Sequence, residues 1–198
     1  NMDWNFKSIA EYLTCVDKGA AVNVAYLIPH GNIRMLIKGN EPGIAKATEL
    51  TAMQALVETG MKEGAVGLSA GLTYTPAMYA DDNELVALNS VVAKFGGYYA
   101  PHHRNYGRDF LTAVDDCIEI AKASEAPLHL THCHLSSPQF HGRTDLLFDL
   151  IAQGERDGAE ITLDSYPYLA GMTYLHALLP SWVQAGGIET MRMRLREP

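Results

Sequence analysis

The chain has 198 residues, of which 47% are hydrophobic and 19% are charged, proportions typical of a globular protein and unlike those of disordered or collagen-like chains. Its formal net charge of −8 disfavours binding to nucleic acid and to anionic membrane surfaces. The sequence contains no run of about 18 apolar residues and no signal-peptide pattern. We therefore expect a cytoplasmic protein in which residues 1–198 form a single domain.

The cysteines show neither a disulfide framework nor a metal-binding pattern. Cys15, Cys117 and Cys133 are odd in number and form no CxxC pair. We interpret them as thiols of a reducing compartment.

Short β-rich runs alternate along the chain with longer runs of helical spacing. The predicted strands cover residues 22–28, 65–69, 98–100, 128–132 and 161–164. The predicted helices cover residues 44–63, 82–95, 110–124 and 145–156. Five strands with intervening helices predict an α/β fold with a parallel sheet.

A doubly wound sheet and a (β/α)8 barrel both fit this alternation, and two observations favour the barrel. No strand-to-helix turn carries GxGxxG, the signature of dinucleotide-binding sheets. Unusual polar residues follow the predicted strands, where a barrel keeps its active site: His102, His132, His134 and Tyr166. A complete barrel needs about 250 residues, so we predict a partial (β/α)8 TIM barrel.

Two histidines at successive strand ends are candidates for a metal site. His102 and His132 lie one βα unit apart, which would bring their imidazoles together over the mouth of a barrel. The period of two within the fourth strand predicts that Leu128 and Leu130 fill the barrel interior and that His132 and His134 point into the mouth. The same pattern directs His129 and Cys133 toward the helices. The alternative that each histidine is a hydrogen-bonded structural residue stays open.

Four sequence blocks carry a family resemblance over about residues 60–176. They are GAVGLSAGLTYTPAMYADDNEL, GGYYAPHHR, LHLTHCH and LDSYPYLAGMTYL, in that order. Together they resemble the N-acyl-D-amino-acid deacylase (D-aminoacylase) branch of the amidohydrolase superfamily, which typically reads GxSxGLxYxP, GGxYxxHxR, a strand ending in SHxK, and DxYPYxAGxT. Upstream, NVAYLIPHGNIR resembles the preceding strand and GHxxxR turn of that family, with Pro29 in place of the usual Gly.

The resemblance implies a zinc-dependent amidase and assigns roles to particular residues. His102 and His132 match the zinc ligands of the fifth and sixth barrel strands. Tyr166 matches a substrate-contacting tyrosine, and His134 stands where many members carry a Lys that helps hold the substrate carboxylate. Arg104 matches the motif arginine, and we place it with the substrate-binding residues as electrostatic support near the metal. Met172 replaces a small hydroxyl residue, which puts the substrate specificity in doubt.

The resemblance also implies functional positions that the sequence does not show. These are an HxH on the first strand, a zinc-bridging Cys on the second and an acid/base Asp on the eighth, so the chain is expected to span strands three to seven. We expect it to lack deacylase activity alone and to self-associate through open sheet edges. The alternatives are a cyclic-amide hydrolase, similar to hydantoinases or dihydroorotases, and a non-catalytic barrel segment.

Overall fold

The computed structural model describes residues 5–197, and its centre is a five-stranded parallel sheet. The strands are β1 (Leu27–Pro29), β2 (Gly67–Gly71), β3 (Tyr98–His102), β4 (Leu128–Leu130) and β5 (Ile161–Leu163). They pair side by side in chain order, each parallel to the next. The predicted α/β architecture with a parallel sheet is therefore confirmed.

Helices precede, connect and follow the strands along the chain. They are α1 (Ile9–Val16), α2 (His30–Lys38), α3 (Ala47–Lys62), α4 (Asp82–Lys94), α5 (Phe110–Ser124), α6 (Thr144–Arg156), α7 (Ser181–Gln184) and α8 (Ile188–Arg194). Helices α2 to α6 connect the strands and cover one face of the sheet, whereas α1 precedes β1 and α7 and α8 follow β5. At the start of α4 the Asp81 side chain accepts a hydrogen bond from the Glu84 N–H at 2.9 Å, a typical N-cap. Within residues 5–197 no helix has the length and apolarity needed to cross a bilayer.

The first predicted strand is shorter than the sequence suggested. Only Leu27–Pro29 pairs with β2, where Leu27 lies opposite Gly67. Val22 and Val24 are 74% and 41% exposed. Residues 22–25 have a strand-like composition, but β2 offers them no neighbouring backbone to pair with.

The helix-facing side of the sheet holds the main core, and it corrects one orientation predicted from the sequence. Leu128 and Leu130 are 1% and 0% exposed and belong to the same cluster as Val114 and Ile118 of α5. They face the helices, not the barrel interior, and His129 faces the opposite side. The period of two was right within Leu128–Leu130, but the apolar face was assigned to the wrong side of the sheet. The period does not extend to His132 and His134, which both line a cleft.

Cys133 does pack in the helix-side cluster, as predicted. It can share that side with Leu128 and Leu130 because β4 ends at Leu130 and the chain turns at His132, where φ is +37°. Desolvation raises the pKa of the Cys133 thiol to about 12, which keeps it protonated. Cys117 is buried in the same cluster, whereas Cys15 is exposed; all three are free thiols.

Candidate active site

Two imidazoles meet at the carboxyl ends of β3 and β4. Nδ1 of His102 lies 3.1 Å from Nε2 of His132, and the rings are nearly perpendicular at 88°. His102 is the last residue of β3, and His132 lies in the turn after β4. The parallel register, in which Tyr99 lies opposite Leu128, places the two strand ends side by side.

Hydroxyl groups hold the outer nitrogens of both rings. Nε2 of His102 lies 2.8 Å from Oγ1 of Thr73, and Nδ1 of His132 lies 3.1 Å from the hydroxyl of Tyr106. When these nitrogens donate to the hydroxyl oxygens, Nδ1 of His102 and Nε2 of His132 are left with lone pairs directed at each other. That arrangement is unfavourable alone and suits a shared cation.

The pair also fits a zinc ion in distance and in protonation. Zinc–nitrogen bonds of about 2.0–2.1 Å in a tetrahedral site separate two ligand nitrogens by roughly 3.3 Å, close to the 3.1 Å between these rings. Desolvation, followed by repulsion from His132 and His103, lowers the pKa of His102 to about 4. His102 is therefore neutral at physiological pH, the form that binds metal.

No third metal-binding side chain joins the two histidines within the described part of the chain. Residues 5–197 contain no group of three or more His, Cys, Asp and Glu side chains placed to hold a metal ion. The geometry thus supplies two candidate ligands.

A cleft of about 1230 Å³ opens beside the two imidazoles, and the predicted substrate residues line it. His134 and Tyr166 pack together there with ring centroids 4.6 Å apart. Nδ1 of His134 is buried without a hydrogen-bond partner among the described residues. Desolvation, followed by repulsion from His132, lowers the pKa of His134, so this side chain offers the cleft a neutral imidazole.

Arg104 also borders the cleft, but its guanidinium is held by the start of α4. It donates to the main-chain oxygen of Ala80 at 2.8 Å and pairs with Asp82 at 3.2 Å. These contacts favour support of the loop over direct contact with a substrate, and its predicted role stays a prediction. Met172 is 99% exposed.

The sequence patterns assigned no role to three residues of the site, although Tyr74 is the tyrosine of the GLTYTP stretch in the first family block. Thr73 and Tyr106 touch the candidate ligands. The ring of Tyr74 packs against that of His102 with centroids 4.9 Å apart, and its hydroxyl lies 2.9 Å from Oγ1 of Thr173, which links two loops. Each lies in a loop that follows a strand. Their position after β2 or β3 was the available signal, but their side chains are common in loops without function.

A third strand-end histidine lies outside the cleft in a buried ion cluster. Nε2 of His30 lies 2.7 Å from Glu84, whose carboxylate also pairs with Arg34, and all three side chains are at most 1% exposed. Desolvation opposes ionisation of Glu84, but hydrogen bonds from His30 and Arg34 outweigh it and lower the pKa of the carboxyl. His30 thus has a structural role.

Comparison with known proteins confirms the family resemblance. No family model matches the chain. D-aminoacylase from Alcaligenes xylosoxydans xylosoxydans is 30% identical over 173 residues, which are 87% of this chain and 36% of that protein. The chain therefore spans about a third of the length of this curated relative.

Solved structures give the same result for the fold. A D-aminoacylase crystal structure that defines a subset of the amidohydrolases superposes with a TM-score of 0.78 at 29% identity, covering 84% of this chain and 35% of that one. N-acyl-D-glutamate deacylase from Bordetella bronchiseptica, complexed with zinc and a phosphonate mimic of the tetrahedral intermediate, superposes with a TM-score of 0.77 at 30% identity, covering 82% of this chain and 35% of that one. The five-stranded sheet thus matches part of an amidohydrolase-type barrel, as predicted.

Proposed function

We propose that this chain is the metal-binding part of an amidohydrolase that cleaves N-acyl-D-amino acids into a carboxylate and a D-amino acid. The observation that carries the proposal is the pair of inward-facing imidazole nitrogens, 3.1 Å apart at the carboxyl ends of two parallel strands. The relatives, a D-aminoacylase and a zinc-bound N-acyl-D-glutamate deacylase, supply the substrate class. Because the chain spans about a third of their length, the activity is proposed for the whole protein.

In this proposal His102 and His132 hold a zinc ion. Bound zinc supplies an activated water molecule and polarises the acyl carbonyl. The chain's own contribution is orientation, because Thr73 and Tyr106 fix the two imidazoles through their outer nitrogens. Desolvation raises the pKa of Tyr106, so its hydroxyl stays protonated.

The substrate would lie in the cleft against His134 and Tyr166. The Tyr166 hydroxyl provides a hydrogen-bond donor for a carboxylate, and the imidazole of His134, which lines the same cleft, provides a second polar side chain. A neutral imidazole attracts a carboxylate less strongly than a lysine ammonium does. We therefore expect weaker carboxylate binding here than in relatives with Lys at this position.

The proposal is tested with the full-length protein that contains this chain. We expect bound zinc, together with hydrolysis of N-acetyl-D-amino acids and not of their L-enantiomers. Hydrolysis of a hydantoin in place of the N-acyl amino acids would identify a cyclic-amide hydrolase. A protein with neither zinc nor activity would identify a non-catalytic barrel segment.

The substrate role of Tyr166 is tested separately by Tyr166→Phe. Loss of one hydrogen bond to a charged group predicts a roughly 10-fold decrease in kcat/KM with the zinc content unchanged. Tyr12→Phe, on α1 and outside the cleft, is the matched control. Wild-type kinetics for Tyr166→Phe would contradict the role.

A further inference from the structure

The turn that carries His132 has an unusual backbone conformation. His132 has φ of +37°, in the left-handed region that residues other than glycine seldom adopt. Such a conformation persists only where neighbouring groups fix it. Because the direction of the His132 imidazole depends on this backbone, the groups that hold the turn also set the geometry of the His102–His132 pair.

Asp164, the residue after β5, bonds to this turn through its side chain and its backbone. Its Oδ1 accepts the His132 N–H at 2.5 Å, and its main-chain oxygen accepts the Cys133 N–H at 2.8 Å. Its own N–H donates to the main-chain oxygen of Leu130 at 3.1 Å. Asp164 therefore bonds to Leu130, the last residue of β4, and to the two N–H groups that flank the Cα of His132.

A second histidine fixes the Asp164 carboxylate in turn. Nε2 of His129 lies 3.0 Å from Oδ2 of Asp164, and Nδ1 of His129 lies 2.8 Å from Oγ1 of Thr162. The Asp164 side chain is 57% exposed, so packing alone does not hold it. His129 can reach Asp164 because it faces away from the helices. The orientation toward the helices predicted from the sequence would not have allowed this contact.

We propose that Asp164, supported by His129, is a positioning residue that holds the left-handed turn at His132 and thereby aims its imidazole at the metal position shared with His102. The inference rests on the proposed metal-dependent function. Both carboxylate oxygens of Asp164 are already bonded, one to a backbone N–H and one to His129. The turn thus requires from Asp164 an oxygen that accepts the His132 N–H at the position of Oδ1.

This requirement distinguishes positioning from a role for the negative charge. In Asp164→Asn the amide oxygen can still accept the His132 N–H, while the amide nitrogen can donate to His129 once that ring adopts its other tautomer. Thr162 can accept from the other ring nitrogen, since its hydroxyl has the Leu128 main-chain oxygen as an alternative acceptor at 3.4 Å. Asp164→Ala removes the acceptor altogether and leaves the His132 N–H without it.

The experiment uses the full-length protein, with zinc affinity measured by chelator competition and the Co²⁺-substituted site observed by visible absorption. Asp164→Ala should weaken zinc binding by about 10- to 100-fold, the usual effect of removing a group that orients a ligand, and should change the Co²⁺ spectrum. Asp164→Asn should restore the wild-type spectrum and most of the affinity. The matched control is Asp145→Ala, which removes an exposed carboxylate of α6 that pairs with Arg143.

Wild-type affinity and spectrum in Asp164→Ala would overturn the inference. A loss in Asp164→Asn as large as in Asp164→Ala would also overturn it, because the charge would then be the required property. If Asp164→Ala does not fold, His129→Ala tests the same bonds from the other side, and an unchanged spectrum in that variant contradicts the inference. A wild-type protein that binds neither Zn²⁺ nor Co²⁺ would instead overturn the proposed function.

Discussion

Two histidines at strand ends of the same sheet differ in the chemical groups around them. His30 follows β1, is 0% exposed, and is bonded to Glu84, which also pairs with Arg34. His102 ends β3, its Nε2 is bonded to the hydroxyl of Thr73, and its Nδ1 faces Nε2 of His132 at 3.1 Å.

The difference lies in the partner, not in the position along the strand. The carboxylate of Glu84 occupies one nitrogen of His30 and ties it to Arg34, which reaches the main-chain oxygens of Gly43 and Tyr79. Hydroxyl partners leave the inner nitrogens of His102 and His132 directed into one shared space. What distinguishes His102 and His132 from His30 is thus that each directs a nitrogen at the other, 3.1 Å away.

Replacement of the histidine after β4 should have the largest effect on function. In the full-length protein, His132→Ala should lower zinc affinity and activity together by at least about 100-fold. Loss of a direct ligand should weaken zinc binding more than loss of a group that orients the ligand. Metal analysis and kinetics measure both losses. His176→Ala, at a histidine stacked on Tyr174, is the control, and retained zinc in His132→Ala would exclude it as a ligand.

Breaking the cluster around His30 should affect stability instead of metal binding. Glu84→Ala leaves Arg34 buried without its carboxylate, which should lower the free energy of unfolding by about 3–5 kcal/mol. Urea unfolding measures the loss, and the zinc content per folded molecule should not change. Glu58→Ala breaks an exposed pair with Lys62 and should cost less than about 1 kcal/mol. Equal losses in the two variants would refute the assigned role of the cluster.

Acid should destabilise the metal-free protein through the second histidine of the PHHR sequence. Desolvation lowers the pKa of His103 to about 4, although its bond to the Asn105 carbonyl opposes this. Because the unfolded chain binds this proton near pH 6.5 and the folded chain only near pH 4, protonation favours unfolding. The free energy of unfolding should therefore be highest above about pH 6.5 and should fall by roughly 2–3 kcal/mol as the pH falls toward 4. Urea unfolding between pH 7 and 4 should show a shallower decrease in His103→Phe. His141→Gln, at an exposed histidine, is the control, and an unchanged decrease in His103→Phe would contradict the prediction.

The smallest expected effect concerns the hydroxyl that holds His132. Tyr106→Phe removes the bond to Nδ1 while keeping the ring that stacks on His103 at 4.0 Å. Zinc affinity of the full-length protein should fall by about 10-fold. Tyr12→Phe is again the control, and unchanged affinity would mean that packing alone orients the His132 ring.

Local patterns in the sequence predicted the elements that bury apolar side chains at helical spacing. The bounds of α5 agree with the prediction, and α4 differs by one residue, because Leu85, Leu88 and Val92 repeat regularly and Gly96 follows with φ of +69°. Helix α2 was not predicted because its buried face carries His30 and Arg34 beside Ile33. Polar residues buried in an ion cluster do not produce an apolar period.

The site was predictable where it depends on strand ends and not where it depends on turns. His102 and His132 could be paired from the βα repeat, and His134 with Tyr166 from the strand order. The roles of Thr73, Tyr106 and Asp164 depend on the conformation of loops and on the left-handed turn at His132. A period of two ends with the strand, so it could not describe the chain beyond Leu130.

The sequential order of the sheet has a consequence for how the site assembles. Neighbouring strands are also consecutive in the chain, and the main helix contacts likewise join α2 to α3, α3 to α4, α4 to α5 and α5 to α6. Such a fold resembles a repeat protein in that each unit is stabilised by the unit before it and the unit after it. The two imidazoles belong to consecutive units, and Asp164 belongs to the unit that follows. With Thr73 from the unit of β2, four adjacent units contain the whole arrangement. It is therefore a local product of folding and does not depend on contacts between distant ends of the chain.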